Sequence, residues 1–430
     1  DTIPEGTYDP KKFLGGYDLV GDDYNSGKKE TSTPHPDNNP LDCGGHGSHV
    51  AGTAAGYGVN ADGSTFHGDY SKLTEEQLKD MKIGPGSAPD AQLIGLRIFG
   101  CKGTTAFVPK GLDRVLDPND DGDFSDRADI ANLSLGNEFG VFDETVNYAV
   151  GSLYREGILS VVAAGNANNY NAVGDTYSNS GGPGTSAYGL TVANSIGSTQ
   201  LVDRVKILAP ANEADTYGDY SVSFDYSKAT EEQLRGTVVR AASRNRYGCE
   251  AFTEEEAAAL KGKWALIDWA DADGSAPCGS KVRFDNLQAA GATGVVLTSN
   301  TEVGDTAIGG NSSIPGVRLA KSQVDRLSAQ IDSGELTLQL GENLRDSIRV
   351  PNGKLDQANT STARGLHGSH GITKPDVAAP GTNISSIEVG SGTGSSVKTG
   401  TSMSTPFVSG VAALIMQAHP EYGPRMLKTV

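Results

Sequence analysis

The chain has 430 residues, 37% of them hydrophobic, and a net charge of −18 from 35 basic and 53 acidic side chains. Length and apolar content support a packed core rather than disorder, and 56 glycines without a three-residue period exclude a collagen. The acidic balance argues against nucleic acid or an anionic membrane as partner, and no apolar run approaches the ~20 residues of a membrane span.

The first residues, DTIPEGTYDPKK, are polar and turn-rich, with neither an initiator Met nor a basic-then-apolar leader. The last, HPEYGPRMLKTV, stop as a new helix starts, so a mature form or a fragment is expected. LIGLRIF (93–99), IANLSL (130–135), ILSVVAA (158–164) and LTVAN (190–194) are short apolar runs that suit parallel strands buried on both faces. Between them, VPKGLDRVLD (108–117) and DETVNYAVGSLYREG (143–157) carry helical spacing. The alternation predicts right-handed βαβ crossovers and an α/β fold, a doubly wound parallel sheet. From 203 the character changes to charged helices such as TEEEAAALKGK and short strands such as KWALIDWA and TGVVLTSN. We read 203–348 as an inserted α+β domain, with the first domain split into 1–202 and 349–430. Its chemistry resumes at KPDVAAPGTNISSI (374–387).

Four cysteines, Cys43, Cys101, Cys249 and Cys278, lack the spacing of zinc CxxC sites. Their even number argues for two disulfides and an oxidising compartment, with buried free thiols as the alternative. Of the three connectivities, Cys43–Cys101 with Cys249–Cys278 is favoured.

Three glycine-flanked motifs concentrate reactive groups. In GGHGSHVAGTAAG (44–56), small residues follow His46, so a helix can pack closely while its first turn faces a cleft. His46 is the general-base candidate, because imidazole exchanges a proton near neutral pH. His49 lies on the same helix face, but HxxH without a glutamate or third ligand is a poor metal pair. VVAAGN (161–166) is an apolar strand ending in Asn166, whose amide can present a donor at a strand's carboxyl end or serve as an ordinary turn residue. In GTSMSTPFVSGVAALIM (400–416), Ser402 starts a helix, where unpaired N–H groups and the helix dipole favour an oxyanion. An isolated serine there is usually an N-cap.

Taken together, the three motifs resemble the subtilisin-like serine peptidases, or subtilases. GHGSHVAG is similar to that family's HGTHVAG, with Ser48 for Thr, and GTSMSTP to its GTSMATP, with Ser404 for Ala. The resemblance covers about 1–200 and 349–430. It implies a subtilisin-like fold with His46 as general base, Ser402 as nucleophile and Asn166 as oxyanion donor, and no cofactor for catalysis. Ser134-Leu135-Gly136 then corresponds to the edge that pairs with an extended peptide substrate. The inserted segment, above all CGSKVRFDNLQAAGATGVVL (278–297), resembles a protease-associated (PA) domain, which implies control of substrate access or protein contacts.

The family's mechanism also needs an aspartate to orient the histidine. Asp1-Thr2 is followed by Ile3 rather than Gly, and Asp332-Ser333-Gly334 follows a helix inside the insert. The aspartate is therefore expected upstream of residue 1, with YDPKKFLGGYDLVGDDYN (8–25) as the stretch that follows it. DPNDDGDFSD (117–126) places Asp117, Asn119, Asp121 and Asp123 as in the first half of a calcium loop, with Gly122 at the turn. Ala128 stands where an EF-hand has its glutamate, so Asp126 or Asp129 would have to complete a structural calcium site. Asn311, Asn359 and Asn383 begin glycosylation sequons, and ARG (363–365) with KPD (374–376) resembles a family block to which no chemistry is assigned.

The expected function is a secreted or cell-envelope serine endopeptidase acting on protein or peptide substrates through an acyl-enzyme, with no membrane span and no nucleic-acid partner. The rival is a non-catalytic PA-bearing binding protein with an incomplete peptidase domain. An unrelated α/β hydrolase is excluded by the lack of a GxSxG elbow between strand and helix.

Overall fold

The computed structural model describes residues 8–137, 140, 143–167, 182–270, 277–299, 308–351, 355–365 and 372–430. The chain forms two compact units, one from Asp1–Ser198 with Lys354–Val430 and the other from Thr199–Gly353.

The first unit begins with β1 (Phe13–Asp18), α1 (His46–Ala55), α2 (Glu75–Asp80), β2 (Leu93–Arg97), α3 (Val108–Leu116), β3 (Ile130–Leu133), α4 (Thr145–Arg155), β4 (Leu159–Ala163) and β5 (Leu190–Ser195). The second unit supplies β6 (Thr199–Ala209), β7 (Thr216–Tyr220), β8 (Arg235–Arg240), α5 (Glu254–Leu260), β9 (Trp264–Asp268), α6 (Ser280–Ala289), β10 (Gly294–Thr298), β11 (Gly316–Leu319), α7 (Lys321–Asp332), β12 (Thr337–Gln339) and β13 (Ile348–Pro351). The chain then returns to the first unit for β14 (Val377–Pro380), β15 (Ile384–Ile387), β16 (Ser395–Lys398), α8 (Thr401–Ala418) and α9 (Pro424–Leu427).

In the first unit β14, β5, β4 and β3 form a parallel sheet in that order. Every residue of β4 is buried, and its alternation sends successive side chains to opposite cores. Val162 packs with Ala131, Leu133 and Val150 against α3 and α4, while Leu159 and Val161 pack with Leu190, Val192 and Ala412 of α8. Helices thus cover both faces, as the apolar runs predict. β1 and β2 form a separate parallel pair, and Val108 and Leu135 pack both against its core and against that of β3 and β4. Among the described residues β2 pairs only with β1 and β3 only with β4.

In the second unit β8 to β11 run parallel, and β12 pairs with both β8 and β6, closing the sheet on itself. Trp264 and Leu266 face one core with Leu327 and Ile331 of α7, and Ala265 and Ile267 face another with Phe284 and Leu287 of α6. Disulfides join Cys43 to Cys101 and Cys249 to Cys278, the favoured pairing. No helix among the described residues is long and apolar enough to cross a membrane.

Candidate active site

Helix α1 starts at His46 because of what precedes it. Gly45 takes a left-handed φ of 80°, which suits a residue without a side chain, and offers the helix no side-chain cap. The half-buried Asp42 carboxylate serves instead. Its Oδ1 accepts the N–H groups of Gly44 (2.7 Å) and Gly45 (3.0 Å), and its Oδ2 accepts that of Ser48 (2.8 Å). Burial pushes the Asp42 carboxyl up, but the three N–H bonds outweigh it and hold the group below its ordinary value.

His46 is exposed at the helix start. Crowding by protein atoms, with Lys398 at the end of β16, lowers its pKa, and Asp42 opposes them. The imidazole is therefore neutral near pH 7 and free to accept a proton. No carboxylate among the described residues hydrogen-bonds its ring, and Asp1-Thr2 lies outside those residues. His49, a turn on, is fully buried against β15, with Nε2 2.9 Å from the Ile384 carbonyl oxygen. Its Nδ1 has no partner, and burial drives its pKa down to about 4. It is a neutral packing histidine, not half of a metal pair.

Asn166 follows the carboxyl end of β4 by three residues and is exposed. Its Oδ1 accepts the backbone N–H of Thr401 at 2.9 Å and the Thr401 hydroxyl at 3.3 Å, and the Gly165 N–H donates to that hydroxyl at 3.1 Å. The oxygen end of the amide is thus occupied, which leaves the Nδ2 end as donor. The amide lies beside Gly400, where a Cβ would stand 3.5 Å from both of its polar atoms. The ARG block has a place here as well, since the Ala363 N–H donates to the Gly165 carbonyl at 2.9 Å.

Ser402 is the second residue of α8, where the early N–H groups lack helical partners. Its hydroxyl donates to the Ser134 carbonyl at 3.2 Å rather than to His46, and the Ser134 hydroxyl donates to the Ser402 carbonyl at 2.8 Å. Pro406 explains the second bond. It has no N–H to give the carbonyl four residues earlier, which is that of Ser402, and the Ser134 hydroxyl takes its place. Gly136 runs against other backbone, since a Cβ there would come 2.8 Å from the Gly182 carbonyl oxygen. Leu135 packs against two cores, that of β3 and β4 and that of β1 and β2. Ser404 is fully buried and its hydroxyl has no partner.

α1 and α8 pack together with their starts at one end. Lys398, four residues before Ser402, acts on His46, and a Cβ on Gly410 would come 2.8 Å from the Ala54 carbonyl oxygen, each eight residues along its motif. The fold therefore brings the starts of both helices and the Asn166 turn together. Asp42 has no signal in the motifs beyond its place four residues before the histidine, and Ser134, expected at the substrate edge, also exchanges hydrogen bonds with Ser402.

In the 117–123 loop the polar groups serve the backbone. Asp117 accepts the N–H groups of Asp121 and Gly122, Asn119 that of Asp121, and Asp121 that of Asp123. Among the described residues, the one group of three His, Cys, Asp or Glu ligands that converges is Asp22, Cys43 and Cys101, whose sulfurs are bonded to each other. The loop's acids are not gathered into a cage. The Asn311 amide is buried and donates to Asp285 and Gln288, and the buried Asn359 amide donates to Thr382, so the folded chain presents neither to a glycosyltransferase.

A profile of the subtilase family matches residues 9–430. The chain belongs to the subtilase family. The minor extracellular protease Vpr of Bacillus subtilis (strain 168) is 30% identical over 430 residues, 98% of this chain and 45% of that protein. The PI-type proteinase of Lactococcus lactis subsp. cremoris is 28% identical over 404 residues, 87% of this chain and 19% of that protein. The solved psychrophilic subtilisin-like protease of Pseudoalteromonas sp. AS-11 superposes with a TM-score of 0.43 at 17% identity, covering 96% of this subtilase and 81% of that chain. The chain thus spans less than half of the length of these two curated relatives.

Proposed function

We propose that this subtilase is a secreted serine endopeptidase in which Ser402 attacks the peptide carbonyl and His46 takes the hydroxyl proton. The acyl-enzyme forms as the C–N bond breaks and His46 returns the proton to the leaving amine, after which water repeats the cycle. The Asn166 Nδ2 and the Ser402 backbone N–H hold the oxyanion. The observation that carries this reading is the Thr401 N–H bond to Asn166 Oδ1, which fixes the amide's oxygen and leaves its donor end beside the serine turn. The substrate backbone would run along Ser134-Leu135-Gly136 as an added strand. Secretion is supported by the two disulfides and by the extracellular relative.

The orienting carboxylate lies outside the described residues on this reading. Without it, the chain is slow, since loss of that group costs a serine protease about 10⁴ in rate. That no carboxylate among the described residues bonds the His46 ring is also what favours the rival, a binding protein without catalysis. The 430-residue chain is expected to hydrolyse a peptide ester slowly. Ser402→Ala would abolish the reaction, and Asn166→Leu would lower kcat by about 10²–10³ with little change in KM, as for loss of one oxyanion donor in a related protease. Hydrolysis unchanged by Ser402→Ala would overturn the proposal, and no hydrolysis in any form would favour the rival.

The second unit is proposed to be PA-like and to govern substrate access or protein contacts, on the strength of the 278–297 segment with its Cys249–Cys278 tether. A structural calcium is proposed for Asp117, Asn119, Asp121 and Asp123, whose side chains would trade backbone N–H groups for the ion. No catalytic step runs through it.

A further inference from the structure

We propose that Asp42 is the positioning residue for His46: its carboxylate gathers the turn that starts α1 and presents a negative charge to the imidazole. The proposal rests on the reading of His46 as general base.

Three observations on different atoms converge. First, both Asp42 oxygens are committed to backbone, Oδ1 to Gly44 and Gly45 and Oδ2 to Ser48, so the carboxylate spans the helix start and His46 sits inside the bonded loop. Second, that loop is held from outside. Cys43, next to Asp42, is bonded to Cys101 beyond the end of β2, and the Arg97 guanidinium donates to the Leu41 carbonyl at 3.1 Å and lies 2.9 Å from the Cys43 sulfur. Third, the turn is close-set: Gly45 holds a left-handed φ of 80° with Val389 3.1 Å from where a Cβ would stand, and Gly47 lies in contact with the carboxylate, a Cβ there standing 3.6 Å from Asp42 Oδ2.

The other charges around the ring give Asp42 its role. Lys398 from β16 acts on His46 with a positive charge, and His49 lies a turn further along α1 and is held neutral by burial. Asp42 is the one negative group that acts on the ring among the described residues. The three N–H bonds keep Asp42 ionised, and its carboxylate is bonded to this backbone rather than to the ring's own N–H. It therefore supports the imidazolium by its field and fixes the helix start, without replacing the hydrogen-bonded carboxylate of the triad.

The test is an NMR titration of His46 in the full 430-residue chain, which needs no turnover. Asp42→Asn removes the charge at constant shape, and Asp42→Ser keeps a neutral helix-start acceptor. Both should lower the His46 pKa by about half a unit or more while His49 stays neutral, the sign of an intact fold. Both should also slow fluorophosphonate labelling of Ser402. An unchanged His46 titration in the two folded variants overturns the proposal, and so does a drop in Asp42→Asn alone, which would mark Asp42 as a packing group. Failure of the wild-type chain to label Ser402 would count against the active-site reading, while the titration would still decide the role of Asp42.

Discussion

Ser404 is the residue at which this chain departs most visibly from the serine motif it resembles. Its side chain is fully buried between α8 and the Gly381 backbone, and its hydroxyl finds no partner. A buried, unpaired hydroxyl is a net cost, and alanine removes it with little loss of volume. Ser404→Ala should therefore stabilise the chain by about 1 kcal/mol, seen as a higher midpoint in urea unfolding, whereas a lower midpoint would mean that the hydroxyl has a partner in solution. The catalytic candidates themselves were legible because each lies in a contiguous motif whose small neighbours announce a tight turn. Their supports were not. Ser134 meets Ser402 across 268 residues and Thr401 meets Asn166 across 235, and no local pattern encodes pairs that only the fold assembles.

Among the elements, β4 followed its sequence closely. A short run of five apolar or small residues suits a strand between two covered faces, where all five are buried, and the helices lie where the intervening periodicity puts them. The second unit was less legible. Its charged helices and short strands marked a change of character, but closure of the sheet through β12, a strand of three residues pairing on both sides, depends on contacts with β6 and β8 far along the chain. The KPD block has become an element-scale clamp. Asp376 at the start of β14 accepts the Thr191 N–H at 2.7 Å and the amines of the buried Lys374 (2.6 Å) and of Lys428 after α9 (3.2 Å), which ties the C-terminal helices to the sheet. The 117–123 loop is held by its own carboxylates, so calcium would have to rearrange it. If calcium binds as proposed, chelator should lower the thermal midpoint and Asp117→Asn should abolish that sensitivity. An unchanged midpoint would remove the ion.

For the whole molecule, the decisive feature is how the chain leaves the first unit and returns. The Ile196 N–H donates to the Gln357 carbonyl at 2.9 Å, and the Asp356 N–H donates to the Ile196 carbonyl at 3.0 Å, so the two ends of the first unit are already stitched together. A short Gly-Ser linker between Ser198 and Lys354 can therefore replace Thr199–Gly353 without moving β5 or the segment that precedes β14. We expect this shortened chain to fold cooperatively and to label at Ser402 at the parent's rate, with altered selectivity among protein substrates. A chain that does not fold would show that the second unit is part of the first unit's core. Every step proposed for the site depends on Ser402 as the nucleophile. Treating the 430-residue chain with a fluorophosphonate and locating the adduct by peptide mass spectrometry tests that most directly. One slowly formed adduct on Ser402 is expected, absent from Ser402→Ala and suppressed in His46→Ala. An adduct that persists in Ser402→Ala, or that forms on wild type as fast as in a protease with a complete triad, would contradict that expectation.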